Sequence, residues 1–171
     1  MRRALLPLLV FLALAAVSCG YSLQPEGSGR FSDPATRVDL PPFRNDTAEG
    51  DAGAYVALKL REELRQRGFV GLYEHNDADF LIAGRVREYR DEVLSNVARF
   101  ALENRFTLVL EIRVTNAQTG SVLWKEENLR ESVSYYSGPD PEYTASNRRA
   151  AFEEAARRIV RRMAQTVRLI L

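Results

Sequence analysis

Apolar residues recur along the chain with the two periods of regular secondary structure. A period of two is typical of β-strands, whose successive side chains point to opposite faces, and it marks four segments: 38–43, 80–89, 105–115 and 121–136. A period of about 3.6 is typical of amphipathic helices, and it marks two segments: 54–67 and about 146–170. The chain therefore predicts four strands and two helices.

Turn-forming residues separate these segments. The pair Pro41-Pro42 must end the first strand or place it at a sheet edge, because proline has no N–H to donate. Gly68 is placed to stop the first helix. The sequence NAQTG at 116–120 predicts a hairpin connection, and Thr144 or Ser146 is a candidate cap for the last helix.

The order of the elements, β-α-β-β-β-α, predicts an α+β fold in one domain over residues 36–171. The first strand-helix-strand step predicts a right-handed parallel crossover, and the later strands should pair as an antiparallel meander. We therefore expect a two-layer sandwich in which two helices pack on one face of a four-stranded mixed sheet. Gly84, inside a strand, predicts either a bulge or a point of close packing.

The first 18 residues have the pattern of a secretory signal peptide. Arg2 and Arg3 precede an apolar stretch, Leu5 to Val17, which is shorter than the roughly 20 residues of a membrane-spanning helix. We exclude this segment from the folded domain.

Cys19 is the single cysteine of the chain, and it follows this segment directly. Ala16-Val17-Ser18-Cys19 is similar to a bacterial lipobox, although Ala16 stands where leucine is commonest. Cleavage before Cys19 would leave a diacylglyceryl, palmitate-bearing cysteine as a membrane anchor. Ala16 and Ser18 would also fit an ordinary signal peptidase, which would leave a soluble chain with a free thiol. We favour lipidation, with residues 19–35 as a tether reaching at most about 50 Å.

The net charge says little about function, but the positions of the charged residues along the chain are uneven. The formal net charge of +1 becomes −1 once Arg2 and Arg3 are removed, which gives no indication of nucleic acid binding. The basic residues are almost all arginine, and one group of them lies along the outer faces of the last predicted helix: Arg148, Arg149, Arg157, Arg158, Arg161, Arg162 and Arg168. They form either a solvated face or a contact for an acidic partner or anionic lipid head groups.

Residues with catalytic or metal-binding chemistry are scarce. The single histidine, His75, lies in a turn-like segment, and the chain has no second histidine or cysteine at ligand spacing. A catalytic base would also need a nucleophile and an orienting group. We therefore predict that the protein is not an enzyme and uses no metal or cofactor.

A second group of arginines lies on the predicted strands. Arg85 and Arg87 share one face of their strand, and Arg105 and Arg113 share a face of the next strand. If both helices cover the opposite face, Arg85, Arg87 and Arg113 are candidates for binding the phosphates of a phosphorylated amphiphile. The alternative is ordinary cross-strand ion pairing with nearby carboxylates, those of Glu88, Glu111 or Glu126. We also place Arg90 and Arg99 in the connection between these strands.

Several motifs, taken in order, resemble one known family. They are CGYSLQPEGSG after the signal, VDLPPFRNDT before the first helix, DADFLIAGRVREY on the second strand and TLVLEIRVTNAQTGSVLWKE through the hairpin. Together with the final Arg- and Ala-rich helix they resemble the lipopolysaccharide-assembly lipoproteins (LptE).

This resemblance implies an outer-membrane lipoprotein on the periplasmic side of that membrane. Such a protein plugs a large β-barrel, the LptD-like lipopolysaccharide translocon, helps that barrel to assemble, and assists delivery of lipopolysaccharide to the outer leaflet. Gly20 is consistent with the outer membrane, because Asp at this position retains some lipoproteins in the inner membrane. An envelope lipoprotein of another class, such as a peptidoglycan-synthase activator or a secretion-pore component, is the alternative.

Overall fold

A computed structural model describes residues 36–69, 77–98 and 101–171. The predicted signal peptide, Cys19 and the tether lie outside the described residues. His75 and Arg99 also lie outside them.

The described strands form one mixed sheet. Its members are β1 (Val38–Asp39), β2 (Arg44–Asn45), β3 (Phe80–Ala98), β4 (Ala101–Asn116) and β5 (Val122–Ser137). The order across the sheet is β1-β3-β4-β5, and β2 also pairs with β3. Both short strands run parallel to β3, while β4 pairs antiparallel with β3 and with β5. The predicted parallel first step and antiparallel meander are confirmed.

The prediction of four strands is wrong by one. Of the predicted strand at 38–43 only β1 is formed, and the additional short strand β2 follows after Pro41-Pro42. Two consecutive residues without an N–H cannot continue the ladder with β3. The carbonyl of Leu40, next to this break, accepts a 2.6 Å hydrogen bond from Nη2 of Arg61 instead.

Strand β3 is also longer than predicted. It continues past Tyr89 to Ala98, so Arg90 lies in the strand and its placement in a connection is wrong. The register with β4 shifts between Val86 and Glu88 and again between Val93 and Ser95. At each shift β3 has one extra residue relative to β4. The extra residue interrupts the alternation of buried and exposed side chains along β3, so the sequence does not show a continuous period of two.

The two helices are α1 (Ala52–Gln66) and α2 (Pro141–Ile170). Gly68 follows the end of α1 with φ of +93°, which confirms its role as the helix stop. Helix α2 begins five residues before the predicted start at 146, because Asp140 and not Thr144 or Ser146 is the cap. The Asp140 carboxylate accepts a 2.9 Å hydrogen bond from the N–H of Glu142, and Pro141 occupies the first helical position.

The hydrophobic core lies between the helices and one face of the sheet. Buried residues of α1 and α2 pack against the alternating positions of β4: Phe106, Leu108, Leu110, Ile112 and Val114. At its centre the Phe152 ring of α2 lies 5.0 Å from the Tyr55 ring and 5.3 Å from the Tyr89 ring, centroid to centroid. This is the predicted α+β arrangement of two helices on one sheet face.

Candidate functional site

The other face of the sheet carries the arginines singled out in the sequence. In β4 the residues that alternate with the buried set point away from the helices, and they include Glu111 and Arg113. In β3 Arg85 is the register partner of Glu111 and therefore shares this face. We call this surface the open face, since neither described helix packs on it.

Arg85 and Arg87 both reach carboxylates. Nη1 of Arg87 lies 3.0 Å from Oε2 of Glu111 on the neighbouring strand. Nη1 of Arg85 lies 3.3 Å from Oδ2 of Asp46, in the segment after β2. These pairs are partly exposed, so each adds at most about 1 kcal/mol to the free energy of unfolding. The expected cross-strand pairing is confirmed for Glu111.

Arg113 is different from these two. It is exposed, its register partner on β5 is Lys125, and it forms no ion pair with any described residue. Lys125 itself pairs with Glu127. The pKa of Glu127 is lowered from its ordinary value first by the hydrogen bond from Lys125 and then by that lysine's charge, with smaller effects of Arg87 and Arg113. The positive charges of Arg87 and Arg113 are therefore close enough to act on one carboxylate.

A second network lies farther along the same strands. Nη2 atoms of Arg90 and Arg130 each lie 3.6 Å from Oε2 of Glu88, and Nε of Arg90 lies 3.4 Å from Oε1 of Glu92. Glu88 thus pairs with Arg90 and Arg130 and not with the candidate arginines. The predicted partner Glu126 lies opposite Ile112, and it forms no ion pair within the described part of the chain.

The middle of the open face is not fully solvated. Val109 is 4% exposed and Thr107 is 2% exposed, although both lie on this side of β4. The Thr107 and Ser132 hydroxyl oxygens are 3.0 Å apart. Val109 is the register partner of Glu88 on β3 and of Arg130 on β5. The aliphatic parts of such long charged side chains can cover an apolar neighbour. The open face thus contains one buried apolar residue, Val109, and one buried hydroxyl, Thr107, among charged side chains.

This arrangement suits a ligand that carries phosphate groups. Guanidinium groups bind phosphate by paired hydrogen bonds, and Arg113 is available without breaking an ion pair. A phosphate at Arg85 or Arg87 would first have to replace Asp46 or Glu111. Sequence reasoning missed Asp46, because its contact with Arg85 spans 39 residues and depends on the pairing of β2 with β3.

Among the described residues, no group of three His, Cys, Asp or Glu side chains is placed to hold a metal ion. None of the described helices is both long and apolar enough to cross a bilayer.

Residues 35–167 match the family model LptE, described as lipopolysaccharide-assembly. No curated protein matches the sequence.

Solved structures with a similar fold come from several bacteria. A candidate lipoprotein of Caulobacter crescentus is 23% identical, with a TM-score of 0.51 over 76% of this chain and 90% of that chain. The PelC dodecamer of Paraburkholderia phytofirmans is 16% identical, with a TM-score of 0.51 over 80% of this chain and 91% of that one. A DUF330 protein of Xanthomonas campestris is 11% identical, with a TM-score of 0.54 over 78% of this chain and 82% of that one. These similarities show a shared fold.

Proposed function

Because the chain belongs to the LptE family of lipopolysaccharide-assembly proteins, we propose that it plugs and helps assemble the lipopolysaccharide-translocating β-barrel. In this role it assists delivery of lipopolysaccharide to the outer leaflet and performs no catalysis. The family match over residues 35–167 is the observation that carries the proposal. The two-layer fold and the open face with its arginines are compatible with it.

The proposed location is the outer membrane, on its periplasmic side. Cys19, diacylated after removal of residues 1–18, would hold the domain there through the tether of residues 19–35. Gly20 after the modified cysteine supports the outer membrane over the inner membrane.

The proposed contact with lipopolysaccharide is the open face at Arg85, Arg87 and Arg113. Lipopolysaccharide is a phosphorylated amphiphile, and guanidinium groups bind phosphate by paired hydrogen bonds. Arg113 is the leading member of the three, because no described carboxylate competes for it. Arg85 and Arg87 would exchange Asp46 and Glu111 for phosphate.

Recovery of the barrel partner tests the function. Outer membranes that contain an affinity-tagged copy of the protein are solubilised gently, and the captured proteins are identified by mass spectrometry. We expect a large β-barrel in near-equal amount with the tagged chain. A tagged outer-membrane lipoprotein of another family is the control. Capture without a barrel, or as a ring of identical chains, would contradict the proposal and favour a secretion-pore component.

Charge reversal on the open face tests the lipopolysaccharide contact. We expect Arg113→Glu, and the double change Arg85→Glu with Arg87→Glu, to weaken lipopolysaccharide binding by at least roughly tenfold, with circular dichroism unchanged. Arg158→Glu is the control, because Arg158 is an exposed arginine of α2 and lies away from the open face. Equal loss in the control would show only general attraction between charges, and no loss in any variant would remove the open face from the proposal.

A further inference from the structure

A groove lies where the sheet ends at the turn between β4 and β5, and we call it the end groove. Its volume is about 400 Å³, and its lining includes Arg37, Asp77, Leu81, Thr115, Asn116 and Gln118. Backbone hydrogen bonds join the segments that form it. The N–H of Asp79 donates to the carbonyl of Arg37, and the N–H of Ala117 donates to the carbonyl of Asp79, both over 2.8 Å. The walls of the end groove are therefore held together by the backbone.

The end groove is continuous with Arg113 on the open face. Leu81 is the register partner of Thr115, and Ala83 is the register partner of Arg113. Alternate residues of a strand share a face, so Thr115 and Arg113 both point to the open face, about 7 Å apart along β4. On β3 the residue beside Arg113 is Ala83, whose side chain is only a methyl group. One ligand can therefore contact the end groove and Arg113 together.

Polar side chains of the end groove have unused hydrogen-bonding capacity. The Thr115 hydroxyl, the Gln118 amide and the Asp77 carboxylate form no hydrogen bond or ion pair with any described residue. The side-chain oxygen of Asn116 accepts from the N–H groups of Gln118 and Thr119 over 3.0 and 2.9 Å, which leaves its NH₂ group to donate. The end groove thus offers both donors and acceptors to a ligand.

This combination suits a sugar ring. Each ring hydroxyl can donate and accept a hydrogen bond, and the C–H groups of the ring can lie on Leu81 and Ala78. The volume is within the range of small-molecule sites, roughly 300–1,000 Å³. An acyl chain would instead cover Asp77 and Gln118 without giving them partners, which costs free energy for each group. A phosphate ion alone would use only Arg113.

We propose that the end groove and Arg113 together bind a sugar phosphate, with the ring at Asp77, Thr115 and Gln118 and the phosphate on the Arg113 guanidinium. The proposal rests on the proposed function and deepens it, because lipopolysaccharide carries phosphate groups on sugar rings. Phosphate is common to lipopolysaccharide and phospholipids, whereas the phosphorylated ring is not. The end groove therefore gives the open face a basis for selecting lipopolysaccharide among the lipids of the envelope.

Two soluble probes of the same charge test the site. The mature protein is titrated with N-acetylglucosamine 1-phosphate and, separately, with methyl phosphate, and binding is followed by the NMR shifts of the backbone amides. We expect the sugar phosphate to bind at least roughly tenfold more tightly, because it adds hydrogen bonds from the ring. Its binding should shift the amides of Arg113, Thr115 and Gln118. Equal affinities for the two probes would overturn the proposal.

The double change Thr115→Val with Gln118→Ala removes two polar groups of the end groove at unchanged charge. We expect it to lower the affinity for the sugar phosphate by roughly tenfold and to leave methyl phosphate binding unchanged. Arg113→Gln should weaken the binding of both probes. Gln66→Ala with Thr166→Val is the matched control, because it removes the same groups from the helices α1 and α2. Equal loss in the control, or no loss in the groove variant, contradicts a sugar site.

Lipopolysaccharide binding identifies the source of the sugar phosphate. The groove variant should bind lipopolysaccharide several-fold more weakly than the parent. If it loses only the soluble sugar phosphate, the end groove serves a free sugar phosphate and the assignment to lipopolysaccharide is wrong.

Capture of the barrel separates this proposal from the proposed function. The groove variant should still recover the β-barrel from outer membranes. If the parent captures the barrel and does not distinguish the two probes, the sugar site is wrong and the proposed function stands. If the parent binds the sugar phosphate at the end groove and captures no barrel, the proposed function is wrong and the sugar site stands.

Discussion

Phe43 is enclosed by two glycines from different elements. A Cβ at Gly84 of β3 would overlap the Phe43 ring, and a Cβ at Gly53 of α1 would overlap the Phe43 carbonyl oxygen. The close packing expected at Gly84 is thus confirmed, and the register shift lies two residues later. The glycines let the helix and the strand approach the segment between them.

Gly53→Ala should therefore destabilise the protein despite the higher helix propensity of alanine. Alanine favours a helix by about 1 kcal/mol over glycine, whereas overlap with a backbone atom costs about 3 kcal/mol. We expect a net loss of about 2 kcal/mol in the free energy of unfolding, measured in urea. Gly50→Ala, where a Cβ meets nothing within 4 Å, is the control and should change little. Equal effects would show that close approach is not the cause.

The carboxyl group of Asp79 makes the free energy of unfolding depend on pH. Hydrogen bonds from the backbone N–H of Arg37 first, and from its side chain second, hold the pKa of Asp79 below its ordinary value. A carboxyl with a lowered folded pKa stabilises the protein above its unfolded pKa of about 3.9, and this contribution disappears as pH falls through the folded value.

We expect Asp79→Asn to be less stable than the parent at neutral pH, with a difference that shrinks below about pH 4. Urea unfolding of both proteins across the acid range measures it. Asp77→Asn is the control, because Asp77 is exposed and forms no ion pair with the described residues. A difference that stays constant into strong acid would show that the charge of Asp79 is not involved.

At the scale of elements, α2 has two parts with different roles. Its buried residues begin at Ala151, so the first ten residues extend beyond the core. In the outer part Nδ2 of Asn147 donates to the carbonyl of Tyr136 over 2.8 Å, on the edge strand β5. In the inner part Phe152 is 2% exposed and contacts the rings of Tyr55, Tyr89 and Phe106.

Substitution of a large side chain by alanine should lower the free energy of unfolding more in the inner part of α2 than in the outer part. We expect Phe152→Ala to lower the free energy of unfolding by about 3–5 kcal/mol, because it leaves a cavity among three aromatic rings. Tyr143→Ala, on the outer part of the same helix and 52% exposed, should change it by less than about 0.5 kcal/mol. Chemical denaturation measures both, and similar losses would mean that the outer part is also packed.

At the scale of the whole molecule, Arg148 joins three segments. Its Nε lies 2.6 Å from Oδ2 of Asp91 on β3, and its Nη2 lies 3.3 Å from Oε2 of Glu49 before α1. Its guanidinium carbon lies 5.0 Å from the centre of the Tyr89 ring. One side chain of α2 therefore holds the helix layer against the sheet and the β2–α1 connection.

Removal of the Arg148 side chain should lower the free energy of unfolding by more than removal of an ordinary surface ion pair does. We expect Arg148→Ala to cost about 1–2 kcal/mol, after allowance for partial exposure, and Arg148→Lys to restore little because an ammonium cannot reach both carboxylates and stack on the ring. Arg158→Ala is the control, because Arg158 pairs within α2 with Glu154 alone. Urea unfolding at low and high salt compares them, and equal losses would contradict a joining role.

The sequence by itself determined the type and order of the elements and the family. Helix and strand periods, the stop at Gly68 and the turn before Gly120, whose φ is +71°, are local properties that neighbouring residues set. The tertiary structure alone decided that the chain pairs with β3 again after Pro41-Pro42, the full length of β3 and the partners of the arginines. Register shifts and contacts such as that of Arg85 with Asp46 join residues far apart in the chain, and no local pattern specifies them.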